Sequence, residues 1–349
     1  GESRREAILK ANAETLRRNG VRPSPLSNGY VPVDMDVTPF DNSKTKKEGV
    51  SRTYKGFDGY APMMAYIGAE GYLINTELRP GKQHCQNHTP DFLRQTIALC
   101  KSLTDTPLLF RLDSGNDAAE NMGILLREGC WFLIKRNLRK ESRTAWLEQI
   151  RDGCQDIERP REGKAVYIGS TWKETTIRDS HDAEKSVVLR AVYEITERTI
   201  DKYGQILLVP DVEVNMFWTN LPFSDRALIA LYHAHGESEQ FHSELKSDMN
   251  LERLPSGKFE TNALALELGM IAYNILRVIG QESLRKNDTP MKRQTLRRRL
   301  RTVIENLIMM ASHLTCHARK LTLGLGYSNP WRRAFARLFF VFTSPVCYC

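Results

Sequence analysis

The sequence predicts an α/β protein: a mixed sheet flanked by helices, with a mostly β insertion and a helical C-terminal region. Three observations carry that expectation. Between residues 30 and 135, short apolar stretches with strand character alternate with helical ones, the pattern of a layered α/β sheet. Between 144 and 219 the texture changes to β-branched and aromatic runs separated by glycine and charged turns. From Ser224 onward the reading is helical throughout.

Taken in order, residues 2–18 form an amphipathic helix carrying Ile8, Leu9 and Leu16, stopped by Asn19 and Gly20. A linker rich in Pro, Ser, Asn and Gly covers 23–29. Residues 30–40 alternate as a strand, with Val31, Val33, Met35 and Val37 on one side and Asp34 and Asp36 on the other. Extended stretches follow at 51–55 and 62–78, the second broken by Gly68 and Gly71. Thr89 and Pro90 serve as N-cap and first residue of a helix reaching Leu103. A buried strand at 107–112, a helix at 117–127 and a strand at 130–135 complete the first part. The insertion holds strands at 165–172, 186–196 and 206–221. Thr289 and Pro290 open a helix running to about Leu314, with Leu296, Leu300, Val303, Leu307 and Leu314 as its apolar stripe. The expected division is an N-terminal helix and linker (1–27), a core in two parts (28–143 and 220–283), the β-rich insertion (144–219) and a basic helical region (284–349).

The chain has 349 residues, of which 41% are hydrophobic and 26% charged, so a packed core is expected and global disorder is excluded. Its net charge of +8 suits a polyanionic partner. That charge is local: between 285 and 337 the only acids are Asp288 and Glu305, among a dense run of Lys and Arg. The seven cysteines, Cys85, Cys100, Cys130, Cys154, Cys316, Cys347 and Cys349, contain no CxxC pair. Neither a disulfide framework nor a zinc ribbon is indicated, and a reducing cytoplasm fits. The apolar run at 338–343 is too short to cross a bilayer, and no signal peptide is evident. The chain starts at Gly1 rather than Met, which leaves room for a natural N-terminal segment before it. Neither a phosphate-binding GxxxxGK[ST] loop nor a dinucleotide-binding GxGxxG turn is present.

The segment after Pro222 is the most informative. On a continuous helix, Tyr232, His235, Glu239 and Lys246 fall within an arc of about 60°, with His242 at its edge and Glu237 and Glu244 opposite. A phenol, an imidazole, a carboxylate and an ammonium group on one face are costly to bury without a function, although a solvated face accounts for them equally well. Gly236 invites a kink there. Two aspartates can meet that glutamate. Asp36 lies in a valine-rich strand with Asp34 two residues before it, where aspartate is poorly suited. Asp113 ends the strand at 107–112 and opens the turn Ser114-Gly115-Asn116; ligands gather at such strand ends, and turn-starting aspartates do too. Three carboxylates from two strands and a helix can hold two hard divalent ions for in-line attack on a phosphodiester. A zinc face made by His235, Glu239 and His242 is the weaker alternative, since no HExxH is present.

These residues resemble a known family. Asp36-Val37-Thr38, then Leu112-Asp113-Ser114-Gly115, then Tyr-x2-His-x3-Glu-x6-Lys from Tyr232 to Lys246 are similar to the DDE transposases of bacterial insertion sequences, in the branch with a Tyr-x2-Arg-x3-Glu-x6-Lys signature. Asn42-Ser43, Lys47-Glu48-Gly49, Thr53-Tyr54-Lys55-Gly56, Phe217 to Leu221 and Leu254-Pro255-Ser256-Gly257 extend the likeness over roughly 30–280. The resemblance implies an RNase H-like fold with a β-rich insertion between the second acid and the glutamate. It also implies metal-dependent cleavage at the ends of a mobile element, followed by attack of the freed 3′-hydroxyl on target DNA. Asp36, Asp113 and Glu239 would be the catalytic metal ligands for two Mg²⁺ or Mn²⁺ ions. Tyr232 and Lys246 would contact phosphates, and so would the residue at 235, where the signature has Arg and this chain has His235.

Arg293, Arg297, Arg298 and Arg301 lie off the apolar stripe of the C-terminal helix and offer a second DNA-binding surface, or a solvated charged face. Trp172 and Trp218 read as packing residues of the insertion, with base stacking as the alternative. The expected partners are double-stranded DNA, both element ends and target, and a second copy of the chain in a synaptic homodimer. No membrane partner is expected, and the expected location is the bacterial cytoplasm, at the nucleoid. The rival expectation is an N-terminally shortened, impaired derivative that binds DNA and inhibits the complete protein.

Overall fold

A computed structural model describes residues 2–178, 183–291 and 295–344. Among the described residues, nine strands make one sheet: β1 (Val31–Val37), β2 (Met63–Ile67), β3 (Tyr72–Glu77), β4 (Leu108–Leu112), β5 (Trp131–Lys135), β6 (Asp156–Arg161), β7 (Lys164–Arg178), β8 (Glu184–Ile200) and β9 (Ile206–Thr219). Their order across the sheet is β3-β2-β1-β4-β5-β9-β8-β7-β6. β1, β4 and β5 run parallel, and every other neighbouring pair is antiparallel. The first five strands, in the order 3-2-1-4-5 with this mixture of directions, form the RNase H-like sheet that the resemblance implies. The long strands of the β-rich region extend that same sheet from β5 outward.

The helices are α1 (Glu2–Arg18), α2 (Thr89–Lys101), α3 (Ala119–Arg127), α4 (Arg143–Arg151), α5 (Asp225–His233), α6 (Glu237–Ser243), α7 (Phe259–Leu284), α8 (Leu300–Val303) and α9 (Arg332–Thr343). The alternation in β1 decides which helices cover which face. Val31, Val33 and Met35 are fully buried in a cluster with Phe92, Leu93 and Ile97 of α2 and Ile124 and Leu125 of α3. Each such side chain contributes roughly 1.5–3 kcal/mol. The opposite face packs against α5, α6 and α7, and the period of two turns Asp34 and Asp36 toward it.

Helix α1 is docked on this body. Asn12 Nδ2 donates to the Leu73 carbonyl (3.0 Å), and Asn274 Nδ2 of α7 donates to Asn12 Oδ1 (2.8 Å), a buried amide chain that joins two helices to β3. By length and composition α7 could cross a bilayer. Here its Leu266, Met270 and Tyr273 are buried against Tyr66, Leu73 and Phe241, as in a core helix.

Three sequence expectations are corrected. Helix α2 starts at Thr89 with His88, in a left-handed conformation, as its N-cap; the Thr89 hydroxyl turns instead to the Cys85 carbonyl. Among the described residues, which leave out 292–294, the single helix expected from Thr289 to Leu314 is reduced to α8 and a π turn, Ile304–Ile308. The C-terminal region is not all helical, because Ser312–His317 and Lys320–Leu325 pair as an exposed hairpin. The alternation there places Leu314, Cys316, Leu321 and Leu323 on one face and His313, Thr315 and His317 on the other, a period of two. Of the expected stripe, Leu300, Val303 and Leu307 are buried, whereas Leu296 and Leu314 are exposed.

Candidate active site

Met35 and Leu112 are the last register partners of the parallel pair β1 and β4, so the next residue on each strand is an aspartate, Asp36 and Asp113. Asp113 caps the short 3₁₀ turn Ser114–Asn116: its Oδ1 accepts from the Gly115 backbone N–H at 3.2 Å and from Asn116 Nδ2 at 2.6 Å. The turn-capping role and the position at a strand's carboxyl end therefore coincide in one residue. The Asp36 side chain is 29% exposed, and its Oδ1 accepts from the Val37 N–H at 2.7 Å. Burial, and then the charge of Asp113, push Asp36 up to about 7. Burial also raises Asp113, against the Asn116 and Gly115 donors that favour its ionised form. Two carboxylates resisting ionisation side by side are what a bound cation would relieve.

Asp34 is in a different situation. It is buried and grips Arg111 of β4 through two bonds of 2.7 Å, while His235 Nδ1 donates to its Oδ1 at 2.8 Å. Burial opposes its charge, but Arg111 and His235 together hold its carboxyl below the usual range. Its oxygens are committed, and Asp36 is the aspartate of β1 that opens onto a groove.

That groove, of about 410 Å³, is lined among others by Asp36, Tyr54, Lys55, Glu239, Lys246 and Glu252. The segment carrying Glu239 is not one helix. Helix α5 ends at His233, Ala234–Gly236 form a 3₁₀ turn, α6 follows, and Glu244–Asp248 make a π turn. The tightened and widened turns spoil the 100° spacing, so the expected common face is divided. Tyr232 packs on Phe217 with ring centroids 4.5 Å apart, and His235 turns to Asp34. Glu239 is exposed on the groove wall. Lys246 Nζ donates to the Pro39 carbonyl at 2.8 Å and pairs with Glu252 at 2.9 Å.

His242, from the zinc alternative, is buried at the same groove as Glu239, while His235 turns away to Asp34. Its Nδ1 is 3.4 Å from the Tyr66 hydroxyl and its Nε2 3.8 Å from Asp36 Oδ2. Burial, then the positive charges of His235 and Lys246, hold it down to about 3. Among the described residues no group of three or more His, Cys, Asp or Glu side chains is close enough to hold a metal ion. Asp36 and Asp113 interact, and Glu239 faces the groove with Asp36 without closing on the pair. The donors fit a hard divalent ion in kind, all being carboxylates.

The C-terminal half of the Glu239 segment rests on a second buried network. Glu244 is 2% exposed and pairs with both Arg277 of α7 and Arg297. Arg297 also donates to Gln240 at 2.7 Å and lies over the Phe241 ring. Phe241 in turn presses on Gly71, where a Cβ would stand 2.4 Å from the ring, so only glycine suits that left-handed turn between β2 and β3.

The family model described as transposase DDE domain, group 1, matches residues 10–343. The chain belongs to the DDE transposase family. Among solved structures it is similar to a piggyBac transposase synaptic complex with hairpin DNA, at 10% identity and a TM-score of 0.39, over 72% of this chain and 47% of that one. The chain thus spans about half the length of that protein. No curated protein matches it.

The arginines expected to meet DNA in this transposase-family chain fall in different places. Arg298 is buried, donating to Ser283 Oγ and the Thr302 carbonyl (both 3.1 Å) beneath the Trp331 ring, and burial pulls it down to about 10. It is a structural residue. Arg297 is committed to Glu244 and Gln240. Arg301 is 56% exposed and reaches Asp248 at 3.4 Å. Arg293 lies outside the described residues. Trp218 is buried and Trp172 is 70% exposed. Sequence reasoning missed Arg111, and it placed Tyr54 and Lys55 in the family likeness without giving them the groove position they hold. The Arg in an otherwise apolar strand was a signal for the first, but its partner becomes visible only with the strand register.

Proposed function

We propose that this chain is a DNA transposase that cleaves phosphodiesters at the ends of a mobile element and joins the freed 3′-hydroxyl to target DNA. The reading rests on one juxtaposition: in a DDE-family chain, two mutually repelling aspartates, Asp36 and Asp113, stand at the carboxyl ends of adjacent parallel strands. They would hold two Mg²⁺ or Mn²⁺ ions, with Glu239 on the wall of the same groove as the third carboxylate. When bound, such ions activate the attacking oxygen and stabilise the leaving one.

The chain's own groups orient the DNA. Lys55 lines the groove, and so does Lys246, paired with Glu252; a phosphate backbone entering there would meet both. Asn116 holds the Asp113 carboxylate by its 2.6 Å bond, leaving the other oxygen for a ligand. Tyr232 packs beside His235 at the inner end of the site, with ring centroids 5.8 Å apart. The proposed partners are duplex DNA, as element end and target, and a second copy of the chain, acting on DNA in the cytoplasm. Asp113→Asn should abolish Mg²⁺-dependent nicking of element-end DNA while leaving DNA affinity nearly unchanged. Undiminished nicking by that variant sinks the assignment.

A further inference from the structure

Two residues before each aspartate, the sheet buries a matched ion pair. Asp34 and Arg111 are register partners on β1 and β4, and each lies on the same face of its strand as the acid that follows it. Arg111 Nε and one terminal nitrogen each donate to a different Asp34 oxygen at 2.7 Å, with the two side chains 3% and 4% exposed. Two further bonds leave the pair for one short stretch of chain. Arg111 donates through its other terminal nitrogen to the Leu231 carbonyl at 3.2 Å, and His235 Nδ1 donates to Asp34 Oδ1 at 2.8 Å. Leu231 lies in the last turn of α5, and His235 in the 3₁₀ turn that leads into α6.

We propose that the Asp34–Arg111 pair positions the Glu239 segment against Asp36 and Asp113. It ties the end of α5 to the two strands that carry those aspartates and sets the point from which the chain continues, four residues past His235, to Glu239. The inference rests on the reading of these three acids as the metal ligands. Stability alone is a poor reason for such a pair, because apolar replacements of buried ion pairs are often neutral or stabilising. What an apolar pair lacks is direction. The planar guanidinium fork fixes Asp34 and the Leu231 carbonyl in one frame, and a metal site needs its ligands held within about 0.5 Å.

The test compares wild type with Asp34→Leu/Arg111→Met, using hydrogen exchange across 231–243 and Mn²⁺ binding followed by electron paramagnetic resonance. The double variant should keep its melting temperature within a few degrees. Its 231–243 amides should exchange at least about tenfold faster while β1 and β4 stay protected, and its apparent Mn²⁺ dissociation constant should rise about tenfold. Wild-type exchange in a folded variant overturns the proposal, as does faster exchange with unchanged Mn²⁺ affinity. Arg111→Lys, which keeps the charge and loses the fork, serves if the double variant does not fold, with the same two outcomes. A wild type that binds no Mn²⁺ would refute the metal-ligand reading, and exchange would still judge the pair.

Discussion

Asp36 and Asp113 follow the last register pair of two adjacent parallel strands, and the burial they share pushes Asp36 up to about 7. Without a cation, that arrangement costs stability. The folded-state value lies above the unfolded one of 3.8. The favourable contribution is therefore complete below about pH 4 and is lost as pH rises through about 7. In EDTA, Asp36→Asn should melt a few degrees above wild type at pH 8, for an effect on the order of 1 kcal/mol given the partly exposed carboxylate. The difference should vanish near pH 4. A variant that melts at or below wild type at pH 8 would show that the two charges do not oppose each other.

The alternation of valine and aspartate in β1 was legible because a strand has a period of two and one face must be apolar. It could not tell Asp34 from Asp36, since that depends on Arg111, 77 residues away, arriving as a register partner. The helix around Glu239 was legible as a helix, but its turns were not. Its tight turn ends in the His235–Asp34 bond, and its wide turn surrounds Asp248, whose fully buried carboxylate accepts from Arg299 at 2.9 Å and from the Arg301 backbone at 3.1 Å. Both are tertiary contacts that helical spacing does not encode. In the C-terminal region the period of two at 312–325 was present in the sequence but was overridden by the helical reading of the basic run before it.

Substituting the signature arginine at position 235 should not improve this chain. His235 is 12% exposed and shares Asp34 with Arg111, so a second guanidinium would crowd a carboxylate already held by a full fork. His235→Arg should lower stability by roughly 1–3 kcal/mol and leave Mn²⁺-dependent nicking at or below the wild-type rate. Nicking by the Arg variant alone would instead identify the natural chain as an impaired derivative.

Glu244 depends on Arg277 more than on Arg297. Arg277 is fully buried and also donates to the Tyr273 hydroxyl at 2.9 Å, whereas Arg297 is 14% exposed and reaches solvent. Removing Arg277 leaves a buried carboxylate with half its partners. Arg277→Met should therefore cost about 3–5 kcal/mol in urea unfolding, and Arg297→Ala clearly less. Equal losses would mean that the two arginines are interchangeable supports.

The basic C-terminal region should touch DNA through only some of its arginines. Arg299 and Arg301 are each more than half exposed around Asp248, and a phosphate can compete with that single carboxylate for them. Arg298 is sealed under Trp331. Binding to duplex DNA, followed by fluorescence anisotropy over a range of salt, separates the two groups, because each phosphate contact contributes about 0.9 to the slope of log K against log salt. Arg301→Ala should lower that slope by about one contact and weaken binding alike on all sequences. Arg298→Met should leave the slope unchanged while lowering the melting temperature. If the folded Arg298 variant flattens the slope as much as the Arg301 variant does, the buried arginine must emerge when DNA binds, and the division drawn from its burial fails.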